Sequence, residues 1–151
     1  GNLNAHEIES LMDSEIETHH QEEHAAVAAI GRLAGGLPAF GIVAAVLGVV
    51  KTMASVGAAP AVLGGMIAGA LVGTFLGILM AYGFVSPLAQ LANQKVDEST
   101  KELQCVKAAL LASVQGYAPA IALEFARKVL YSTERPTFTE LEGHVKGKKA
   151  A

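Results

Sequence analysis

His20, Glu23 and His24 stand in the spacing H-x-x-E-H within "HHQEEH". On a helix this puts two imidazoles four residues apart with a carboxylate between them, the ligand spacing of one class of zinc peptidases. Metal chemistry would also need a third ligand and a cleft for substrate, and the sequence offers neither. The stretch lies among Glu15, Glu17 and Glu22, so it reads as the solvated polar face of a helix. No metal site, cofactor or catalytic residue is expected, and the chain is not read as an enzyme. Cys105 is the single cysteine, which excludes an internal disulfide.

A second kind of chemistry, ion transfer across a membrane, leaves its mark as an absence. From Thr52 to Gln94 there is no Asp, Glu, Lys, Arg or His, and Lys51 alone interrupts the charge-free run that begins at Leu33. A transmembrane helix needs roughly 20 largely apolar residues, and this run holds two. Proton carriers keep a titratable group inside the bilayer. These spans have none, so any ion pathway must take its carboxylate from a partner. Thr74 is the hydroxyl in the middle of the second span. It either bonds back to the carbonyl of residue 70 or lines a polar path beside that partner's acid.

The elements that would position these residues follow from hydropathy and turn signals. The fold class is an all-α membrane protein, two transmembrane helices forming a hairpin flanked by cytoplasmic helices. Residues 1–32 are a cytoplasmic lead-in helix, opened by Asn4 and Glu7 as a capping box and carrying an acidic face of Glu9, Asp13, Glu17 and Glu22. Residues 33–56 and 61–88 are the spans, and 57–60 ("GAAP") are the outer turn. Residues 89–151 form a cytoplasmic helical region with an apolar stripe from Ala92 to Val114 and an Asp97–Lys101 pair. It has a break at "GYAP", a helix begun by Pro119, a capping box at Thr137 and Glu140, and a basic tail, "KGKKAA". Arg32 before the first span, Lys95, Lys101 and Lys107 after the second, and no basic residue in the turn place both ends in the cytoplasm. The chain shows no signal peptide, and its opening without Met suggests a missing N-terminal part. Basic residues are too sparse for nucleic-acid binding.

Gly65, Gly69, Gly73 and Gly77 recur every four residues, with Ala81 continuing the series. Small residues at this spacing let a second helix approach closely. Gly41 with Ala45, and Ala44 with Gly48, echo the pattern in the first span. Pro38 falls in the first turns of its span, where proline is tolerated. Pro87 sits where helix-compatible sequence continues on both sides, so it frees the carbonyl of Gly83 and needs a neighbour or water to satisfy it. The two prolines form a pair near the cytoplasmic face.

"LPAFGIVAAVLGVV" followed by "LVGTFLGILMAYGFVSPLA" closely resembles the third and fourth transmembrane helices of the MotA family of flagellar motor stators, within the wider MotA/TolQ/ExbB proton channel family. "HEIESLMDSEIETH" and "FARKVLYSTERPTFTELEGHV" are similar to the flanks of that pair. The resemblance covers nearly all of this chain and the C-terminal half of a typical member. It implies a bacterial inner-membrane subunit for flagellar rotation, motility and chemotaxis. A MotB-like subunit would supply the transmembrane Asp, five copies would form a ring, and the rotor protein FliG would be engaged through an upstream region not in this sequence. Pro38, Pro87 and Thr74 would be the ion-pathway and torque-coupling residues. Ala45 replaces the Thr of sodium-driven and ExbB/TolQ-type relatives, which favours protons as the transported ion. The alternative within the family is an ExbB/TolQ-like energiser of outer-membrane transport. A passive scaffold hairpin is the reading of a different class.

Overall fold

A computed structural model describes residues 4–147, and the last residues of the basic tail lie outside it. Among the described residues, five α-helices account for the fold: α1 (Ala5–Met53), α2 (Pro60–Ile78), α3 (Ser86–Val114), α4 (Pro119–Val129) and α5 (Phe138–Gly147). A π-helical segment, Leu79–Val85, joins α2 to α3 without a break. No strand occurs among the described residues.

Helix ends obey local chemistry. The Glu7 amide donates to Asn4 Oδ1 at 2.9 Å and the Asn4 amide to Glu7 Oε2 at 2.8 Å, a reciprocal capping box. α1 then runs uninterrupted to Met53, so the lead-in helix and the first span are one element. Its end unwinds through i→i−3 bonds, such as Ser55 N–H to Thr52 O at 2.9 Å. The non-helical turn therefore begins at Ala54, earlier than "GAAP", and Pro60 opens α2, where its missing N–H is harmless.

The chain packs as two compact units. One comprises Glu23–Gln94, which holds the apolar hairpin. α1 and the α2–α3 helix each carry an apolar stretch long enough to cross a membrane, and the second of these has none of its most apolar window buried. A core helix of a soluble domain would be covered. Here Phe40, Leu47, Leu71 and Phe75 stand exposed, which suits a lipid or partner-helix environment.

The other unit combines residues 1–22 with 95–151. Lys107 on α3 donates to Asp13 of α1 at 2.6 Å, and Glu9 lies 3.7 Å away. Part of the acidic face is thus used in packing. Lys101 donates to Gln104 and lies 5.6 Å from the Tyr131 ring centroid. α3 ends in a Schellman motif: Gly116 has φ +85°, its N–H bonds Ser113 O, and Tyr117 N–H bonds Ala112 O. Only glycine takes that conformation freely.

The α4–α5 turn is tied by two guanidinium groups. Arg127 makes a bidentate pair with Glu124 and donates to Pro136 O at 3.0 Å. Arg135 donates to Leu130 O and Lys128 O, satisfying the last carbonyls of α4. Thr137 and Glu140 form the second capping box.

The hydrogen bonds from Arg127 hold the Glu124 carboxyl below its ordinary pKa, and those from the Thr137 amide and hydroxyl do the same for Glu140. A carboxylate depressed in the folded state stabilises above its unfolded pKa of about 4.3 and loses that contribution as pH falls through its folded value. The ¹³Cα shifts of residues 138–141 in the full chain should therefore move toward coil values on acidification below about pH 4.

Candidate functional site

The contact face of α1 in the hairpin is built from small residues at heptad-like steps: Val27, Ala34, Gly41, Ala45 and Thr52 are buried. Opposite them, α2 presents Ala70, Gly73 and Gly77, and Ala81 of the π segment is fully buried. Backbones approach closely. A Cβ on Gly41 would lie 2.8 Å from the Gly73 carbonyl oxygen and 3.2 Å from the Cα atoms of Gly77 and Thr74. A Cβ on Gly77 would lie 2.8 Å from Leu37 O, and one on Gly48 would lie 2.5 Å from Ala70 Cβ. Dispersion between backbones, rather than exclusion of water, holds such a pair inside a membrane.

The predicted glycine stripe divides. Gly73 and Gly77 face α1, whereas a Cβ on Gly65 or Gly69 would meet nothing within 4 Å. Ala70, not Gly69, continues the seam against Gly48. The reason is helical drift: a strict four-residue repeat turns about 40° per step away from a fixed line, so four glycines cannot all face one straight neighbour.

Thr74 does not bond back to the carbonyl of residue 70. Its Oγ1 donates across the hairpin to the Gly41 carbonyl at 3.3 Å. That carbonyl is open to a neighbouring helix because Gly41 has no side chain. Ala45 is one turn further along the same buried face. Pro38 is half-buried deep inside α1, not in its first turns. Its ring removes the donor for the buried Ala34 carbonyl, and the carbonyl of Leu37 is the one set against Gly77. Pro38, Gly41, Ala45 and Thr74 therefore belong to one contact.

Pro87 does not join them. It lies ten positions beyond Gly77, roughly 15 Å by helical rise, and is exposed. Immediately before it the helix widens: the N–H of Ser86 donates to Ala81 O, five residues back. α-Helical bonding restarts at Ser86, with Pro87 in its first turn. The missing proline donor thus coincides with the place where the hydrogen-bond register changes, and its helix-interior penalty of about 3 kcal/mol is largely avoided.

Sequence reasoning missed two polar features. Thr52 is fully buried and bonds back to Gly48 O at 2.9 Å. A heptad count along α1 was the available signal, because Ala45 and Thr52 are seven residues apart. His20, read as part of a solvated face, is half-buried and shares a 2.9 Å hydrogen bond with Thr100. Among the described residues no cluster of His, Cys, Asp or Glu could hold a metal ion.

A glycine-packed hairpin with a cross-helix threonine bond defines a pair of helices long and apolar enough to cross a membrane. Residues 2–105 match the MotA/TolQ/ExbB proton channel family, and the chain belongs to it. It is 58% identical over 146 residues to Motility protein A of Salmonella typhimurium, covering 97% of this chain and 50% of that protein. It is 56% identical over 149 residues to Motility protein A of Escherichia coli, covering 99% of this chain and 50% of that protein. Chemotaxis protein LafT of Vibrio parahaemolyticus is 36% identical over 142 residues, with 94% and 50% covered. The chain spans about half the length of these relatives.

Proposed function

We propose that this chain is the membrane-hairpin half of a flagellar motor stator subunit that couples inward proton flow to torque on the rotor. The observation that carries the reading is its 56–58% identity to two proteins named Motility protein A along nearly its whole length. The charge-free hairpin supports it: with no carboxylate of its own between Thr52 and Gln94, it needs a partner's acid to bind a proton. A MotB-like subunit with a transmembrane Asp is that partner. Five copies form the ring, and regions upstream of this sequence engage the rotor protein FliG. The protein sits in the bacterial inner membrane with both flanks of the hairpin cytoplasmic, as the Arg32 and Lys95 flanks favour.

Within this reading the residues divide their work. Thr74 and Gly41 fix the register of the two helices. Ala45 puts a methyl group where a Thr would add one more hydroxyl to the seam, which disfavours sodium coordination. Pro38 and Pro87 loosen the backbone where the pair must change packing. An ExbB/TolQ-like role in the same family would use the same hairpin, but the relatives found are motility and chemotaxis proteins.

The test is conductance. The full-length protein co-expressed with its partner should acidify the cytoplasm when external pH is lowered, equally in sodium-free and sodium-containing buffer. Changing the partner's transmembrane Asp to Asn should abolish that acidification. Acidification that needs sodium, or that survives loss of the partner's acid, would overturn the proton reading.

A further inference from the structure

We propose that the π-helical segment Leu79–Val85 is a register joint. It stores one surplus residue, and exchange of i→i−5 for i→i−4 bonds there turns the following helix about its own axis. The mechanical purpose rests on the stator reading above; the joint itself rests on geometry.

A π turn is an α-helix carrying one extra residue. Both boundaries already have helical dihedrals, Ile78 at φ −67°, ψ −46° and Ser86 at φ −65°, ψ −46°. No residue here has positive φ. The boundary residues therefore need no change of backbone region on conversion.

Pro87 narrows the gap between the two forms. In uninterrupted α-helix the carbonyl of Gly83 would accept from residue 87, which has no N–H. Its ring would also crowd that carbonyl, a clash that the α form alone carries in full. The freed carbonyl is left for water or a neighbouring group to satisfy.

Packing does little to lock either form. Ala81 is the one buried residue of the segment, and Met80, Tyr82, Gly83 and Phe84 are exposed. Rotation drags no large packed side chain. Moving one residue into or out of a turn rotates the chain beyond it by about 100° and shifts it about 1.5 Å. A bend at a proline alone would tilt the helix. A register joint also re-aims its faces.

The experiment is amide hydrogen exchange on the full-length protein in lipid nanodiscs, with swimming scored in parallel. In the unmodified protein, amides of residues 82–86 should exchange about ten-fold or more faster than those of 71–78. Deleting Gly83 removes the surplus residue and leaves downstream faces in register. Membrane levels should stay normal, exchange should fall to that of the flanking helix, and swimming should stop. Gly83→Ala is the second variant, needed if the deletion does not accumulate. Its Cβ would meet only Leu79 Cδ1 at 3.4 Å, and it should slow exchange several-fold. Equal exchange across the two stretches in the unmodified protein would overturn the joint. So would a Gly83-deleted protein that exchanges slowly and still swims. If the unmodified full-length protein fails to restore swimming, the stator reading falls, and the exchange comparison alone still decides the joint.

Discussion

Gly41→Val should separate the two helices of the hairpin and cost about 3 kcal/mol, the upper end of what overpacking a well-packed core costs. The added Cβ would stand 2.8 Å from the Gly73 carbonyl and 3.2 Å from two Cα atoms. All three are backbone, so no side-chain rotation can make room. The helices must part, and parting them stretches the Thr74–Gly41 hydrogen bond beyond its 3.3 Å. Against a domain stability of about 5–15 kcal/mol this is a large fraction. Unfolding of the purified full-length protein in mixed micelles would measure it. Gly65→Val is the paired control, because a Cβ there meets nothing. In the unassembled chain it should change stability by no more than about 0.5 kcal/mol. A matching loss at Gly65 would mean that the cost comes from valine in the helix and not from a collision at Gly41.

Pro87→Leu should have the opposite signature: unchanged or greater stability, with torque lost. Proline costs about 3 kcal/mol inside a helix, most of which Pro87 avoids in the first turn of α3, so leucine there gains little and loses nothing. Pro87 is exposed and buries no side chain in the hairpin, so little packing is forfeited. The new N–H can bond the Gly83 carbonyl and pull the Leu79–Val85 segment toward plain α-helix. A protein present at normal membrane level that does not swim would separate function from folding. Normal swimming would reduce Pro87 to a tolerated feature of the helix and remove the coupling role from the proposal. The two variants together distinguish the packed contact, which stability depends on, from the loosened one, which motion depends on.

The features legible in the chain alone are local or compositional. The run from Leu33 to Gln94, charge-free but for Lys51, dictates an apolar hairpin. The Asn4–Glu7 and Thr137–Glu140 boxes and the Pro119 helix start depend on residues within one turn of each other, and all three form. The family was legible in long motifs over nearly the whole chain. The remaining features needed the packed helices. Which glycines of a periodic stripe meet a neighbour depends on the crossing of two helices, so Gly73 and Gly77 are packed and Gly65 and Gly69 are not. Thr74 bonds a carbonyl 33 residues away instead of the one in its own helix, because the missing side chain at Gly41 exposes a better acceptor. His20–Thr100 and Lys107–Asp13 likewise join residues far apart in sequence. The π segment is the sharpest case. Nothing in "LMAYGFV" demands a wider turn. It ends at Ser86, directly before Pro87, where α-helical bonding restarts.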